Sequence, residues 1–327
     1  MFEWQIKYNN LDNFTKIQRV LPINESSFHV YGSFGDVYIQ IAVLKELLEE
    51  KKEKFNVIIE EKYANLVNNA LGQNIGKYYA DGGVNQLFNE IGLLGKTGNL
   101  PIRLLPTLYP GCSELIMAKR LYYSDFLRGI IGVEKKGYFS KIEDNDKLSI
   151  EAEQIIKAAG CEPGKTILLS LDNNTQKELT EEFWMRIIKN IAKQNKHILL
   201  NNSGTLSYKS ASMLSELNIP KINVPPELAI ALPTIAGGYI GGTNGFSTIQ
   251  ALFNDNIKGV HFINSIECTE NRITDKFGNK FDPEVLYHSK TWKETFRKKQ
   301  IEKVIDKETS IEEINNIIQK YIEVNLN

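Results

Sequence analysis

A carboxylate stands near the start of the chain, where a strand pattern gives way to a helix pattern. Gly32-Ser33-Phe34-Gly35-Asp36 joins an apolar run beginning at Phe28 to a helical repeat. This GxxGD spacing matches neither the phosphate-binding loop, which needs Lys-Ser/Thr after its second glycine, nor GxGxxG. Two roles for Asp36 stay open. It either caps the helix, where the helix dipole favours a negative charge by about 0.3–1 kcal/mol, or acts as a general base.

A second turn, late in the chain, carries no acidic side chain. Gly241-Gly242-Thr243-Asn244-Gly245 follows a strand pattern and precedes a helix that starts near Phe246. Unpaired N–H groups and the positive helix end favour an anion at such a turn. The sequence therefore favours a phosphate site over a turn that uses glycine only for packing. The residues predicted to form this phosphate site are Gly242, Thr243, Asn244, Gly245, Ser247 and Thr248.

Other candidate side chains have plainer alternatives. Lys177, in a polar loop after a strand, either reaches a phosphate or is simply solvated. Arg120 and Arg128 belong to a locally basic segment that either meets a phosphorylated acceptor or anionic lipid head groups, or forms the wet face of a core helix. The four histidines are scattered, and no motif predicts a metal site or a serine-hydrolase elbow.

Composition excludes several classes of protein. The 327 residues include 39 basic and 40 acidic side chains, a near-balance that argues against a nucleic-acid binder. Three well-separated cysteines build neither a disulfide framework nor a metal clip. The sequence shows no signal peptide and no membrane-spanning run. We therefore expect a cytoplasmic protein, with peripheral contact to the inner membrane surface as a further possibility.

Short strand patterns alternate with helix patterns along most of the chain, which predicts βαβ units and parallel sheets. In the first half the predicted strands are Phe28–Gly32, Phe55–Glu60, Lys77–Ala80 and Ile102–Pro106, with helices at about 37–52, 61–71, 84–94 and 113–131. The second half shows five strands in alternation with four helices, the first helix capped by Thr180. Such alternation is typical of a doubly wound, Rossmann-like domain.

A polar, turn-rich stretch between Glu134 and Lys165 predicts the junction between two domains, residues 1–150 and 151–327. The last helix pattern opens with a capping box of Ser310 and Glu313 and must dock on its own sheet or across onto the first domain. Rossmann-like domains bind ligands at the carboxyl ends of their strands. If those ends face each other, a central cleft results, which suits a reaction between two substrates.

Strand-GSFGD-helix near the start and strand-GGTNGFST-helix near the end resemble the GT-B glycosyltransferases of the heptosyltransferase group, glycosyltransferase family 9. The resemblance covers most of residues 28–265. It implies that Asp36, after Gly35, is the general base, and that Lys177 approximates a donor-phosphate lysine. The family's late signature is roughly D-[ST]-G-x-x-H; here Thr243 replaces the acidic residue and Thr248 replaces the histidine.

The resemblance implies an α/β enzyme that moves a sugar, with inversion and without a metal or other cofactor, from a nucleotide-diphosphate sugar to a hydroxyl. The acceptor is expected to be a carbohydrate, a lipid-linked molecule or a protein, such as a bacterial surface glycan or glycoconjugate. Acceptor-side candidates are Ser33, Gly35, Arg120 and Arg128. Two alternatives stay open: a GT-B sugar-nucleotide epimerase, and a non-catalytic nucleotide-sugar-binding protein, which the altered 243–248 signature suggests.

Overall fold

The computed structural model contains two parallel β-sheets, one in each half of the chain. We call residues 27–142 the N-terminal half and residues 146–326 the C-terminal half. The residues that the structure describes are 27–72, 75–80, 102–104, 123–142, 146–171, 179–194, 196–201, 207–264, 297–305 and 309–326. The predicted helix at 84–94 lies outside them.

The N-terminal sheet has the strand order β3-β2-β1-β4, and its strand pairs are all parallel. The strands are β1 (Ser27–His29), β2 (Asn56–Glu60), β3 (Gly76–Ala80) and β4 (Ile102–Leu104). All four were predicted, but β1 ends three residues early. The chain turns at Gly32, whose φ of 120° suits glycine, so the strand cannot run into the turn.

The C-terminal sheet has the order β10-β9-β8-β5-β6-β7, again with parallel pairs. The strands are β5 (Thr166–Ser170), β6 (His197–Asn201), β7 (Lys221–Ile222), β8 (Gly237–Gly241), β9 (Gly259–Asn264) and β10 (Gln300–Ile305). This is the Rossmann order. The first five were predicted. Strand β10 was missed, because it is an edge strand with a half-polar sequence and has no continuous apolar run.

Helices cover both sheets. They are α1 (Phe34–Lys51), α2 (Ala64–Leu71), α3 (Tyr123–Ile131), α4 (Asp146–Ala158), α5 (Glu181–Lys193), α6 (Tyr208–Glu216), α7 (Ala231–Ala236), α8 (Gly245–Phe253) and α9 (Ile311–Asn325). Short 3-10 turns cover Glu61–Tyr63 and Pro226–Leu228. In α1 every residue from Val37 to Leu44 is buried, so this helix is enclosed on most faces rather than half-exposed. Among the described helices, none is both long and apolar enough to cross a membrane.

The last helix, α9, docks on its own half of the chain. Ser310 caps it by accepting a hydrogen bond from the Glu313 N–H, as the sequence predicts. The helix packs against α5, and the Tyr321 hydroxyl donates to the carbonyl of Lys258 at 2.6 Å while accepting from the Tyr239 N–H at 2.9 Å. These bonds lock α9 to β8 and to the turn before β9.

The two halves share one of the two apolar clusters of the core. Helix α4 packs on α7, so it belongs with the C-terminal half, although the boundary predicted after residue 150 falls inside it. Between the halves, α1 lies against α8, and the Tyr38 and Phe253 rings meet edge to face with centroids 5.0 Å apart. A single cluster of buried residues accordingly runs from β1 and α1 through α4 into α8. The carboxyl edges of the two sheets therefore meet at the N-terminal ends of α1 and α8.

Candidate active site

Both chemically suggestive turns lie at topological switch points. In the N-terminal sheet the strand order reverses between β1 and β4, and in the C-terminal sheet between β5 and β8. Open α/β sheets bind ligands outside the carboxyl ends of strands at such points. The turn after β1 leads to Asp36, and the turn after β8 leads to Asn244. The fold therefore places both turns where ligands bind.

Asp36 is the third residue of α1, and it does cap the helix. Its Oδ2 accepts hydrogen bonds from the Ser33 N–H at 3.0 Å and from the Ser33 hydroxyl at 2.7 Å. Ser33 is the N-cap, so the two residues form a Ser-x-x-Asp capping box. The cap half of the prediction is thus confirmed. Capping occupies one carboxylate oxygen; the other, Oδ1, has no hydrogen-bond partner among the described residues.

The environment of Asp36 makes it a stronger base than an ordinary aspartate. The side chain is half-buried, and this burial raises the pKa of the carboxyl, while the two bonds from Ser33 act in the opposite direction without cancelling it. A raised pKa brings a carboxylate closer to the value a general base needs near neutral pH.

Asn244 builds the second turn. Its Oδ1 accepts from the Ser247 N–H at 2.7 Å and so caps α8, while its Nδ2 donates to the Ser170 hydroxyl at the end of β5 at 3.2 Å. The N–H groups of Gly245 and Phe246 have no acceptor among the described residues. The first turn of α8 also contains no acidic residue. These features keep the helix end attractive to an anion.

The hydroxyls predicted to contact a donor divide into two groups. Ser247 is fully buried, within 2.6 Å of the Tyr239 hydroxyl and hydrogen-bonded to the Gly242 carbonyl, so it orders the turn and does not face a ligand. Thr248 donates to the Asn244 carbonyl at 3.0 Å. Thr243 differs: its hydroxyl is buried, the residue is 6% exposed, and it has no partner among the described residues. A buried hydroxyl without a partner is unfavourable unless a ligand supplies one.

The N-terminal ends of α1 and α8 touch at two glycines. A Cβ on Gly245 would lie 2.8 Å from the Gly35 nitrogen, and a Cβ on Gly35 would lie 3.2 Å from the Gly245 Cα. The Phe34 and Phe246 rings flank this contact with centroids 6.3 Å apart. Gly35, an acceptor-side candidate, thus allows α1 and α8 to contact each other closely. Asp36 accordingly lies next to the carboxylate-free end of α8.

Arg128, predicted on the acceptor side, is in the core, and that prediction is wrong. The residue is 1% exposed, and its guanidinium forms a two-point ion pair with Glu46, at 2.7 Å through Nε and 2.9 Å through a terminal nitrogen. A buried guanidinium needs such a partner, and Glu46 on α1 provides it. Lys177 and Arg120 lie outside the described residues.

Sequence reasoning missed a polar link between the halves. Asn65 on α2 donates to the Glu227 carboxylate at 2.7 Å, and Glu227 is 9% exposed. Nearby, burial raises the pKa of Tyr63, helped by the negative charges of Glu60 and Asp36. No sequence signal marks these residues, because polar side chains in helical patterns ordinarily face solvent. Within the described part of the chain, no group of three or more His, Cys, Asp or Glu side chains is arranged to hold a metal ion.

Comparison with solved structures identifies the fold. Neither a family model nor a curated protein sequence matches the chain. Among solved structures, the Escherichia coli heptosyltransferase WaaC with ADP-2-deoxy-2-fluoro heptose is similar with a TM-score of 0.52 and 10% identity, over 90% of this chain and 99% of that one. The E. coli ADP-heptose lipopolysaccharide heptosyltransferase II gives 0.54 and 10%, over 91% and 98%. A glycosyltransferase family 9 protein from Veillonella parvula gives 0.52 and 12%, over 94% and 93%. The chain therefore has the GT-B fold of the heptosyltransferases, which confirms the predicted fold class.

Proposed function

We propose that this protein is a glycosyltransferase that moves a sugar from a nucleotide-diphosphate sugar to a hydroxyl acceptor. One observation carries the proposal: the helix end bearing Asp36 touches the start of α8, where two N–H groups have no acceptor among the described residues and the first turn has no carboxylate. A base and an anion site side by side are what glycosyl transfer needs. The likeness in fold to heptosyltransferases, one of them bound to an ADP-heptose analogue, supports the same class of donor.

The donor diphosphate is proposed to bind at the N-terminal end of α8. The N–H groups of Gly245 and Phe246 and the hydroxyl of Thr243 would donate to its oxygens, and the helix dipole would stabilise the charge that grows on the leaving group. By contrast, α5 carries Glu181 and Glu182 in its first turn, which would repel an anion. Lys177 is proposed to assist, and the mechanism assigns no step to a metal or other cofactor.

The acceptor is proposed to bind on the Asp36 side, beside Ser33. Its hydroxyl oxygen attacks the anomeric carbon while the bond from that carbon to the diphosphate oxygen breaks and the bonding electrons leave with the diphosphate. Asp36 takes the hydroxyl proton. Attack from the face opposite the leaving group inverts the anomeric configuration.

The acceptor class is proposed as a hydroxyl of a glycan or glycoconjugate made at the cytoplasmic side of a membrane. Burial of Arg128 removes one of the cations that suggested membrane contact. Another basic side chain, Lys136, is exposed on the segment that follows α3. Peripheral binding therefore has less support than the transfer reaction itself.

The test is incubation with a panel of nucleotide sugars, with thermal shift and product analysis in parallel. Transfer with release of nucleoside diphosphate supports the proposal. An epimerised donor would instead identify a sugar-nucleotide epimerase, and stabilisation without any chemical change, across a panel of glycan acceptors, would identify a binding protein. No stabilisation by any nucleotide sugar would overturn the donor site.

A further inference from the structure

One polar residue lies inside the most apolar part of α1. Gln40 stands among Val37, Ile39, Ile41 and Val43, and it is 0% exposed. Burying an amide without partners costs free energy, so its hydrogen bonds must lie within the protein. Gln40 takes no part in the proposed chemistry.

The oxygen and the nitrogen of the Gln40 side-chain amide both form hydrogen bonds with the backbone of one residue, Tyr31. Its Oε1 accepts from the Tyr31 N–H at 3.1 Å, and its Nε2 donates to the Tyr31 carbonyl at 2.9 Å. Tyr31 follows the last residue pairs of β1 and directly precedes Gly32. The amide thereby substitutes for a neighbouring strand and holds the chain at the point where it leaves the sheet.

The other end of the same turn is held by Asp36. Gln40 lies one helical turn after Asp36, on the same face of α1. The segment Tyr31-Gly32-Ser33 is therefore fastened twice to α1, by Gln40 at its start and by the two Ser33 bonds to Asp36 at its end. Because Gly32 has a φ of 120° and no side chain, it contributes little stiffness of its own.

We propose that Gln40 is a positioning residue for the catalytic base: it holds the Tyr31–Ser33 turn so that Ser33 orients the Asp36 carboxylate toward the acceptor. This inference rests on the proposed function of Asp36. Gln40 contacts neither substrate; it acts through the backbone of the turn. Small displacements of a base reduce turnover strongly, by up to about a hundredfold for about 1 Å.

The experiment compares Gln40→Met, which keeps the volume and loses both hydrogen bonds, with Gln300→Met. Gln300 is the matched control, since it is also buried, at 3% exposed, and its Nε2 donates to the carbonyls of Asn254 and Ile257. It is the first residue of β10 and so lies at the amino ends of the parallel strands, whereas the site lies at their carboxyl ends. Both variants lose buried hydrogen bonds, so both should lower the melting temperature. Gln40→Leu, which is neutral, apolar and also lacks both hydrogen bonds, replaces Gln40→Met if the latter does not fold.

The first readout needs no substrate: amide hydrogen exchange of Ser33. The Ser33 N–H bonds to Asp36 and not to Gln40, so its exchange should quicken in Gln40→Met only if the turn loosens, and should not change in Gln300→Met. The second readout is transfer with the donor found in the nucleotide-sugar panel. We expect kcat to fall about tenfold to a hundredfold in Gln40→Met with a donor KM within about threefold of the original.

Unchanged Ser33 exchange in Gln40→Met, or a loss of kcat equal to that in Gln300→Met, would overturn the positioning role. If the unaltered protein transfers no sugar, the proposed function fails, while Ser33 exchange still decides whether Gln40 holds the turn.

Discussion

The backbones of Gly35 and Gly245 are in contact across the two halves of the protein: a Cβ built on Gly245 would lie only 2.8 Å from the Gly35 nitrogen. Real Cβ atoms essentially never come that close to backbone, so no other residue fits at 245 without moving α8 away from α1. The contact sets the distance between the proposed base and the proposed donor site.

Gly245→Ala should therefore impair both stability and turnover. Overpacking of this kind costs about 1–3 kcal/mol of unfolding free energy, and the displaced helix end should lower kcat at least about tenfold. Gly129→Ala is the control, because Gly129 is an exposed residue of α3 with nothing within 4 Å of an added Cβ. It should stabilise the protein by about 0.5–1 kcal/mol. Equal effects of the two substitutions in chemical denaturation and assay would contradict the close contact.

Asp36→Asn should reduce transfer by about 10²–10⁴-fold, the usual contribution of a general base. An asparagine oxygen still accepts from the Ser33 N–H, so the helix start should persist and donor binding should change little. Steady-state kinetics and calorimetric titration with the donor separate the two quantities. Asp125→Asn on α3 serves as a control that removes a carboxylate elsewhere. Turnover near the original value in Asp36→Asn would exclude Asp36 as the base.

Transfer should fall off on the acid side at a higher pH than for an ordinary aspartate, because burial raises the pKa of Asp36 and only the ionised form is a base. The same shift affects stability. The folded state holds the proton more tightly than the unfolded chain, so this contribution is complete below the unfolded pKa and is lost as pH rises through the folded pKa. Relative to Asp36→Asn, the original protein should gain unfolding free energy as pH is lowered. A difference independent of pH in urea titrations would contradict the shift.

Thr243→Val tests the buried hydroxyl at the donor turn. The substitution keeps the shape and removes a group that has no partner among the described residues, so unfolding free energy should stay the same or rise. If Thr243 binds the diphosphate, the Kd for the nucleoside diphosphate selected in the panel should rise about tenfold, as expected for the loss of a hydrogen bond to a charged group. Thr248→Val, whose hydroxyl bonds to the Asn244 carbonyl, provides the comparison. An unchanged Kd in Thr243→Val would remove Thr243 from the site.

Arg128→Met should destabilise the protein by up to about 3–5 kcal/mol, because it removes the two-point partner of the buried Glu46 carboxylate, which among the described residues keeps only Lys135 at 3.5 Å and the Ser140 N–H at 2.8 Å. The double variant with Glu46→Met should be less destabilised than Arg128→Met alone. Chemical denaturation of the single and double variants measures this coupling. Additive losses would show that the two side chains do not depend on each other.

Local patterns predicted most of the fold and the positions of both turns that form the candidate site. Strand periodicity marked nine of the ten described strands, and the GxxGD and GGTNG turns both lie at switch points of their sheets. The half-polar edge strand β10 was missed, since an edge strand needs no continuous apolar run. Gln40 did leave a sequence signal, a lone amide within an apolar stretch of α1, but its partner Tyr31 is visible only in three dimensions.

What the sequence determined by itself was local: the Ser33–Asp36 cap, the Asn244 turn, and the alternation of strands and helices, all of which depend on residues a few positions apart. Tertiary structure alone decided which polar groups remain available to a ligand. Arg128 forms an ion pair with Glu46, and Ser247 forms a hydrogen bond with Tyr239. By contrast, Thr243 and one oxygen of Asp36 have no partner among the described residues. It also decided that Gly35 meets Gly245. The physical reason is that burial and pairing arise from contacts between segments far apart in the chain, which no local pattern encodes.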